Sequence, residues 1–303
     1  MSITIKKVAY CGWPNCCRIS NGKIELIVTT DVGPRVIRFG FVGGQNLFKE
    51  YTEHLGKRGG KQWRLYGGHR LWHAPEAQPR TYFPDNSPVA SETRGSTVRF
   101  IQPVETTTGI QKEIDIRLAA TGSRVELVHR LRNTGAWDVE LAPWALSVMA
   151  PGGTCVIPLP ARGTHPKDLL PGNLLTLWLY TDMSDKRWTW GRKYILLRQD
   201  ASPKVTPQKL GALVPDGWAG YTLNGQLFVK KFACVAGANY ADLGCNFETF
   251  TNHEMLEVET LGAFTQIAPG QVVEHVETWS LFDRVPAPEC DRDVERHVAP
   301  HVR

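Results

Sequence analysis

Alternation of apolar and polar positions is the dominant signal along the chain. In "QKEIDIRLA" (111–119), Ile114, Ile116 and Leu118 fall on one face and Glu113, Asp115 and Arg117 on the other. In "RVELVHRL" (124–131), Val125, Leu127, His129 and Leu131 oppose Arg124, Glu126 and Arg130. A two-residue period of this kind predicts strands with one buried face. The intervening "ATGS" (120–123) supplies a hairpin turn. Further strands are predicted at 24–30, 35–42, 97–101, 175–180, 193–199, 225–232, 245–250, 255–260 and 272–282. No sustained helical period and no internal repeat competes with them. No linker divides the chain either. The pattern therefore predicts one all-β domain over residues 1–285, a large antiparallel sandwich. Residues 286–303 are charged and Pro-flanked, and are expected to form a surface tail.

Composition agrees with that reading. Among 303 residues, 28 Gly and 20 Pro suit many short strands and turns better than a helical bundle. Ten Trp provide large apolar plates with one polar handle, useful in a core and equally for stacking on sugars or bases. Thirty-five basic against 30 acidic residues give a net charge of +5, scattered along the chain. Without a basic stripe or a recognisable module, a nucleic-acid partner is not expected. No apolar run has membrane-spanning length, and the opening "MSITIKKVAYCGW" lacks the apolar core of a secretory leader. The seven Cys form no paired Cys-x-x-Cys units, so reduced thiols are expected rather than a zinc site. These features together lead us to expect a cytoplasmic protein with no membrane partner, metal or cofactor.

The sharpest chemistry lies in "CNFETFTNHEMLEVETLG" (245–262). Alternation puts Asn246, Glu248 and Phe250 on one face of the first strand, and Met255, Glu257 and Glu259 on one face of the second. If "TNHE" (251–254) is the hairpin loop, Glu248 pairs with Glu257 and Asn246 with Glu259. Like charges directly opposite one another are destabilising. Such carboxylates are either solvated, neutralised by cations such as Lys209 or Lys230, or functional. On a concave, partly dry face their repulsion would raise at least one carboxyl pKa and make it a general acid or base.

"GGHRLWHAPE" (67–76) is the second candidate. His69 and His73 are four apart, but Gly and Pro bound the stretch as a loop, so a helical metal pair loses its geometric basis. Arg70 suits a carboxylate or phosphate on a ligand, or a salt bridge to Glu76. Trp72 suits stacking on a sugar face or core filling. His129, on an apolar strand face, reads as a hydrogen-bonded core residue. His165, in "GTHPKD", lies on a loop that could reach a pocket.

These segments resemble the galactose mutarotase-like proteins. "MLEVETLGAFTQIAPGQVVEHVETWSLF" is similar to their C-terminal strands, and Val258–Glu259 to the strand position of the catalytic-base Glu in aldose 1-epimerases. "LIVTTDVGPRVIRFGFVGGQNLF" resembles their opening hairpins, and "VELVHRLRNTGAWDVELAPWALSVM" their central strands and Asn-x-Gly turn. "GGHRLWHAPE" falls where they carry a Gly-rich pocket loop. The resemblance implies a β-supersandwich with a sugar-binding concave face and a small carbohydrate as partner. It also implies ring opening by a base, Glu259, and an acid. The family's acid is a His on the strand after the Asn-x-Gly turn, yet no His occurs between His129 and His165. His69, His73 or His165 is then expected to supply the acid, with Arg70, Trp72, Glu76, Asn246, Glu248 and Glu257 lining the pocket. A sugar isomerase leads this reading. A non-catalytic carbohydrate binder is the alternative, and a glycosidase or lyase using paired Glu comes last.

Overall fold

The computed structural model describes residues 3–302. Two antiparallel sheets face one another. The first runs, in spatial order, Thr4–Tyr10, Trp13–Ser20, Ile24–Thr29, Arg35–Phe41, Gly68–Ala74, Val139–Met149, Leu256–Leu261, Phe247–Thr251, Gln208–Ala212 and Leu175–Leu177. A short strand, Thr265–Ile267, pairs with the start of Val139–Met149. The second sheet runs Trp188–Trp190, Tyr194–Arg198, Thr154–Pro158, Trp218–Leu223, Gln226–Phe232, Val272–Asp283, Val125–Asn133, Ile110–Leu118, Thr97–Ile101 and Ala90–Arg94. No helix among the described residues is long and apolar enough to cross a membrane.

The second sheet follows the alternation in the sequence. Along Val125–Asn133 every other residue is buried, with Val125, Leu127, His129 and Leu131 facing the first sheet. Between the layers, Phe39, Phe48, Phe228 and Trp279 pack with ring centroids 5.5–6.1 Å apart. Apolar area of this kind, withdrawn from water between two twisted sheets, is the main stabilising term of a sandwich.

The middle of the first sheet behaves differently. Gly68–Ala74 and Leu256–Leu261 are buried at every position, on both faces. One face meets the other sheet; the other is covered by Trp63, Tyr82 and the segment around Trp178 and Tyr180. The expected loop at 67–76 is therefore mostly a central strand, and its double burial hid the alternation that marks the outer strands. The expected strand at 175–180 ends at Leu177, and the next residues cross the open face instead.

Of residues 286–303, expected as a tail, the described residues 286–302 pack onto the outer face of the second sheet. Asp291 accepts hydrogen bonds from the backbone N–H groups of Arg192, Lys193 and Tyr194. Val294 and Val298 are buried beside Val156, Leu196 and Trp218.

Candidate functional site

The outward face of the five central strands of the first sheet forms a cleft of about 320 Å³. Each strand contributes through its alternation. Gly68–Ala74 sends out Arg70 and Trp72, Val139–Met149 sends out Trp144 and Leu146, and Leu256–Leu261 sends out Glu257. Lys209 comes from Gln208–Ala212, while Glu76, Tyr82 and Tyr180 close the rim. Two glycines set the phase of the first strand. Gly67 and Gly68 have φ of +97° and +70°, and a Cβ on Gly68 would lie 2.5 Å from the Val36 carbonyl oxygen. Only glycine turns the chain this tightly against its neighbour. A larger hollow of about 600 Å³ lies beyond Tyr82, but only Lys61 and Asp85 bring charge to it.

The hairpin register differs from the expected one. Glu248 pairs with Glu259 and Phe250 with Glu257, because the loop lies two residues further along the paired sum than "TNHE" implies. An even shift preserves the face of every side chain, so Glu248, Glu257 and Glu259 all remain on the cleft side. Lys209 neutralises two of them. Its Nζ lies 2.8 Å from Glu248 Oε2 and 3.5 Å from Glu259 Oε2. Two indoles flank the same ammonium, Trp144 at 4.9 Å and Trp178 at 4.7 Å from the ring centroid. Trp144 Nε1 also donates to Glu259 Oε2 at 2.9 Å. Glu259 Oε1 and Glu248 Oε1 are buried without a hydrogen-bond partner.

Burial dominates the ionisation of this group. It pushes Glu259 up to about 7, against the pull of Lys209. It drives Glu248 well above the usual carboxylate range for the same reason, with Glu259 adding repulsion. Burial opposes the charge on Lys209 too, but Glu259 and Glu248 outweigh it and hold the ammonium above its ordinary value. Across the cleft, Arg70 stacks on Trp72 at 4.3 Å and reaches Glu257 at 3.4 Å, leaving Nε and Nη1 unpartnered.

No protein-family model matches the sequence, and no curated protein matches it. Solved structures do match in shape. A galactose mutarotase-like protein from Lactobacillus casei aligns with TM-score 0.55 at 10% identity, covering 88% of this chain and 100% of its own. Another from Clostridium acetobutylicum gives 0.56 at 11% identity, covering 93% and 99%. A galactose mutarotase related enzyme from Lactobacillus acidophilus gives 0.54 at 8% identity, covering 90% and 99%. The chain has the galactose mutarotase-like fold.

Within this mutarotase-like sandwich, the sequence-derived residues divide by strand parity. Arg70, Trp72, Glu257 and Glu76 line the cleft, while Glu248 and Glu259 are fully buried behind it, in contact with the lining residues Lys209 and Trp144. Asn246 does not reach it; its side chain is tied to the backbone of Val214 at 2.7 and 3.1 Å. His165 is exposed on a loop. His69 and His73, one residue out of phase with Arg70 and Trp72, point into the space between the sheets and are fully buried. His73 contacts Glu105 at 3.4 Å, and Glu105 is in turn paired with Lys112 at 2.6 Å. Trp144, Trp178, Tyr180 and Lys209 were not singled out for the cleft. The spacing of Trp144 and Leu146 in "LAPWALSVM" is the signal that could have placed the first of them.

His69 belongs to an interior network. His129 Nδ1 lies 3.0 Å from the His275 carbonyl, which can only accept, so Nδ1 carries the proton. His69 Nε2 must then donate to His129 Nε2 at 2.8 Å, and Ser147 Oγ donates to His69 Nδ1 at 2.9 Å. Beside them Lys230 Nζ lies 2.9 Å from Glu277 Oε1, and Trp279 Nε1 donates to Glu277 Oε2 at 2.7 Å. Among the described residues His69, His129 and Glu277 are the one group with three ligating atoms within 4.8 Å. A divalent cation there would have to break the His69–His129 hydrogen bond and share Glu277 with an ammonium. The residues fit a neutral-histidine hydrogen-bond network better than a metal centre.

Proposed function

We propose that the cleft binds a small carbohydrate and that the protein is an isomerase of aldose 1-epimerase type, with Glu259 as the base. One observation carries the reading: a fully buried carboxyl behind the cleft of a mutarotase-like sandwich, pushed up to about 7 by that burial and left with one unpartnered oxygen. In ring opening, Glu259 takes the proton of the anomeric hydroxyl as the bond from C1 to the ring oxygen breaks. The aldehyde turns, and the same steps in reverse close either anomer. Trp63, Trp72 and Trp144 offer apolar plates for the sugar ring, while Arg70 and Glu257 offer a donor and an acceptor for its hydroxyls. The seven unpaired cysteines support a cytoplasmic setting.

The test is anomer exchange, followed by NMR from pure α-anomers of aldohexoses and hexuronic acids. Wild-type protein should accelerate at least one, and Glu259→Gln should lose about 100-fold or more of that rate. A Glu259→Gln protein as active as wild type refutes the base assignment. The second reading, a non-catalytic binder, is favoured by the cover that Lys209 and Trp144 place over Glu259. Saturable sugar binding with no exchange on any sugar would select it.

A further inference from the structure

A mutarotase-type reaction requires an acid as well as a base, and none of the histidines faces the cleft. The cleft offers few replacements. Arg70 cannot give up a proton at any working pH. The Tyr82 hydroxyl is committed to Glu76, and Glu257 is held by Arg70. The Tyr180 ring stands half-exposed at the rim, with its phenol pushed up to about 12 by partial burial. Lys209 differs from all of these. Its Nζ borders the cleft, contacts the proposed base and is pinned by Glu248 on one side and two indole faces on the others. It donates one hydrogen bond to Glu259 and stands in ion-pair contact with Glu248, and an ammonium carries three N–H groups, so donor capacity remains for a ligand.

We infer that Lys209 is the general acid of this site, giving its proton to the ring oxygen while Glu259 receives that of the anomeric hydroxyl. The inference rests on the isomerase reading above. The O1–H bond breaks, and its proton goes to Glu259 as C1 and O1 form a carbonyl. The C1–O5 bond breaks, its electron pair stays on O5, and O5 takes a proton from the Lys209 ammonium. Glu259 ends protonated, which removes the main charge holding the ammonium up and frees its proton in the same step, and Lys209 ends neutral. Ring closure reverses both transfers, so no other reactant is needed. O1 and O5 are bonded to the same carbon, so an acid and a base in mutual contact can serve both. A cation beside the departing oxygen also stabilises the charge that develops there. Glu248 acts through Lys209 as a positioning residue, holding the ammonium 2.8 Å away and over the Trp144 ring.

The experiment compares full-length wild type with Lys209→Ala and Lys209→Arg, using the sugar that wild type converts fastest. Both variants should lose about 100-fold or more in kcat with KM changed less than about threefold. Methylammonium added to the buffer should restore part of the kcat of Lys209→Ala and leave Lys209→Arg unchanged. Lys209→Arg keeps the charge without a transferable proton, so retention of its kcat within about threefold overturns the inference. Failure of the amine to speed folded Lys209→Ala overturns it as well. If Lys209→Ala does not fold, Lys209→Arg decides alone. Wild-type protein active, Glu259→Gln inactive and Lys209→Arg unaffected sinks this inference and spares the isomerase reading. Wild-type inactivity on every sugar sinks both.

Discussion

Replacing Lys230 with Met should destabilise the protein by about 3–5 kcal/mol, the range for a buried ion pair that loses one partner. Lys230 and Glu277 are both fully buried, with Nζ and Oε1 2.9 Å apart. At that distance the attraction is roughly 6 kcal/mol for an effective dielectric of ~20. Burial alone would raise the Glu277 pKa, but the Lys230 ammonium overcomes it and holds the carboxyl ionised. Without the ammonium, Glu277 must either stay charged in an apolar layer or take up a proton, and proton uptake limits the loss to less than the full attraction. The same Nζ donates to the backbone oxygens of Ala145 at 3.3 Å and Val258 at 3.1 Å. Those strands carry Trp144 and Glu259 on their other face, so part of the damage should reach the cleft.

Urea unfolding at pH 7, followed by tryptophan fluorescence, measures the loss. Lys230→Met with Glu277→Gln should recover most of it, because the double variant leaves no buried charge unpaired. A single-variant loss below about 1 kcal/mol would refute the reasoning. So would a double variant no more stable than the single, since the cost would then come from packing rather than charge.

Acid should unfold the protein through its interior histidines. Burial holds His69, His129 and His275 below the ordinary value, His275 at about 3. The unfolded chain therefore binds protons first as pH falls. Stability is full above about 6.5 and declines below it by about 1.4 kcal/mol per pH unit for each histidine still neutral, approaching about 4 for all three. Denaturant titrations at pH 7, 6 and 5 read this slope, and a flat profile would contradict the network. Glu259 has the opposite sign. Its folded pKa is raised to about 7, so its contribution is present below the ordinary carboxylate value and lost as pH rises through 7. Glu259→Gln should therefore gain about 1–3 kcal/mol over wild type at pH 8 and nothing at pH 4, read from paired melting curves. Gly68→Ala would place a Cβ 2.5 Å from the Val36 carbonyl. It should cost about 2 kcal/mol or more and weaken ligand binding through Arg70, and wild-type stability in this variant would refute the assigned backbone constraint.

Much of the sandwich was legible because its outer strands are half exposed. Val125–Asn133 alternates in sequence and in burial alike, and Ile110–Leu118 does so except at Glu113, which is buried. The strands that build the cleft are buried on both faces, one against the second sheet and one beneath aromatic loops, so hydrophobicity no longer tells inside from outside. There the chemistry of the residue types was readable while their direction was not. The carboxylate hairpin survived a misjudged register because the error was even. The histidines do not reach the cleft because the expected loop at 67–76 is mostly a strand, on which His69 and His73 lie one residue out of phase with Arg70 and Trp72.

That one-residue phase decides the chemistry of the two faces of a single strand. Gly67 and Gly68 deliver Arg70 and Trp72 to the cleft and, by the same geometry, His69 and His73 to the interior. The interior histidines stay neutral because burial penalises their charge, and they bind the sheets together by hydrogen bonds. The cleft is left with carboxylates, Arg70, Lys209, two tyrosines and indoles. On the isomerase reading proposed above, Glu259 is the base, and proton donation falls to the ammonium beside it. With no histidine on the cleft, that reading turns to Lys209, which lies 2.8 Å from Glu248 and 3.5 Å from Glu259.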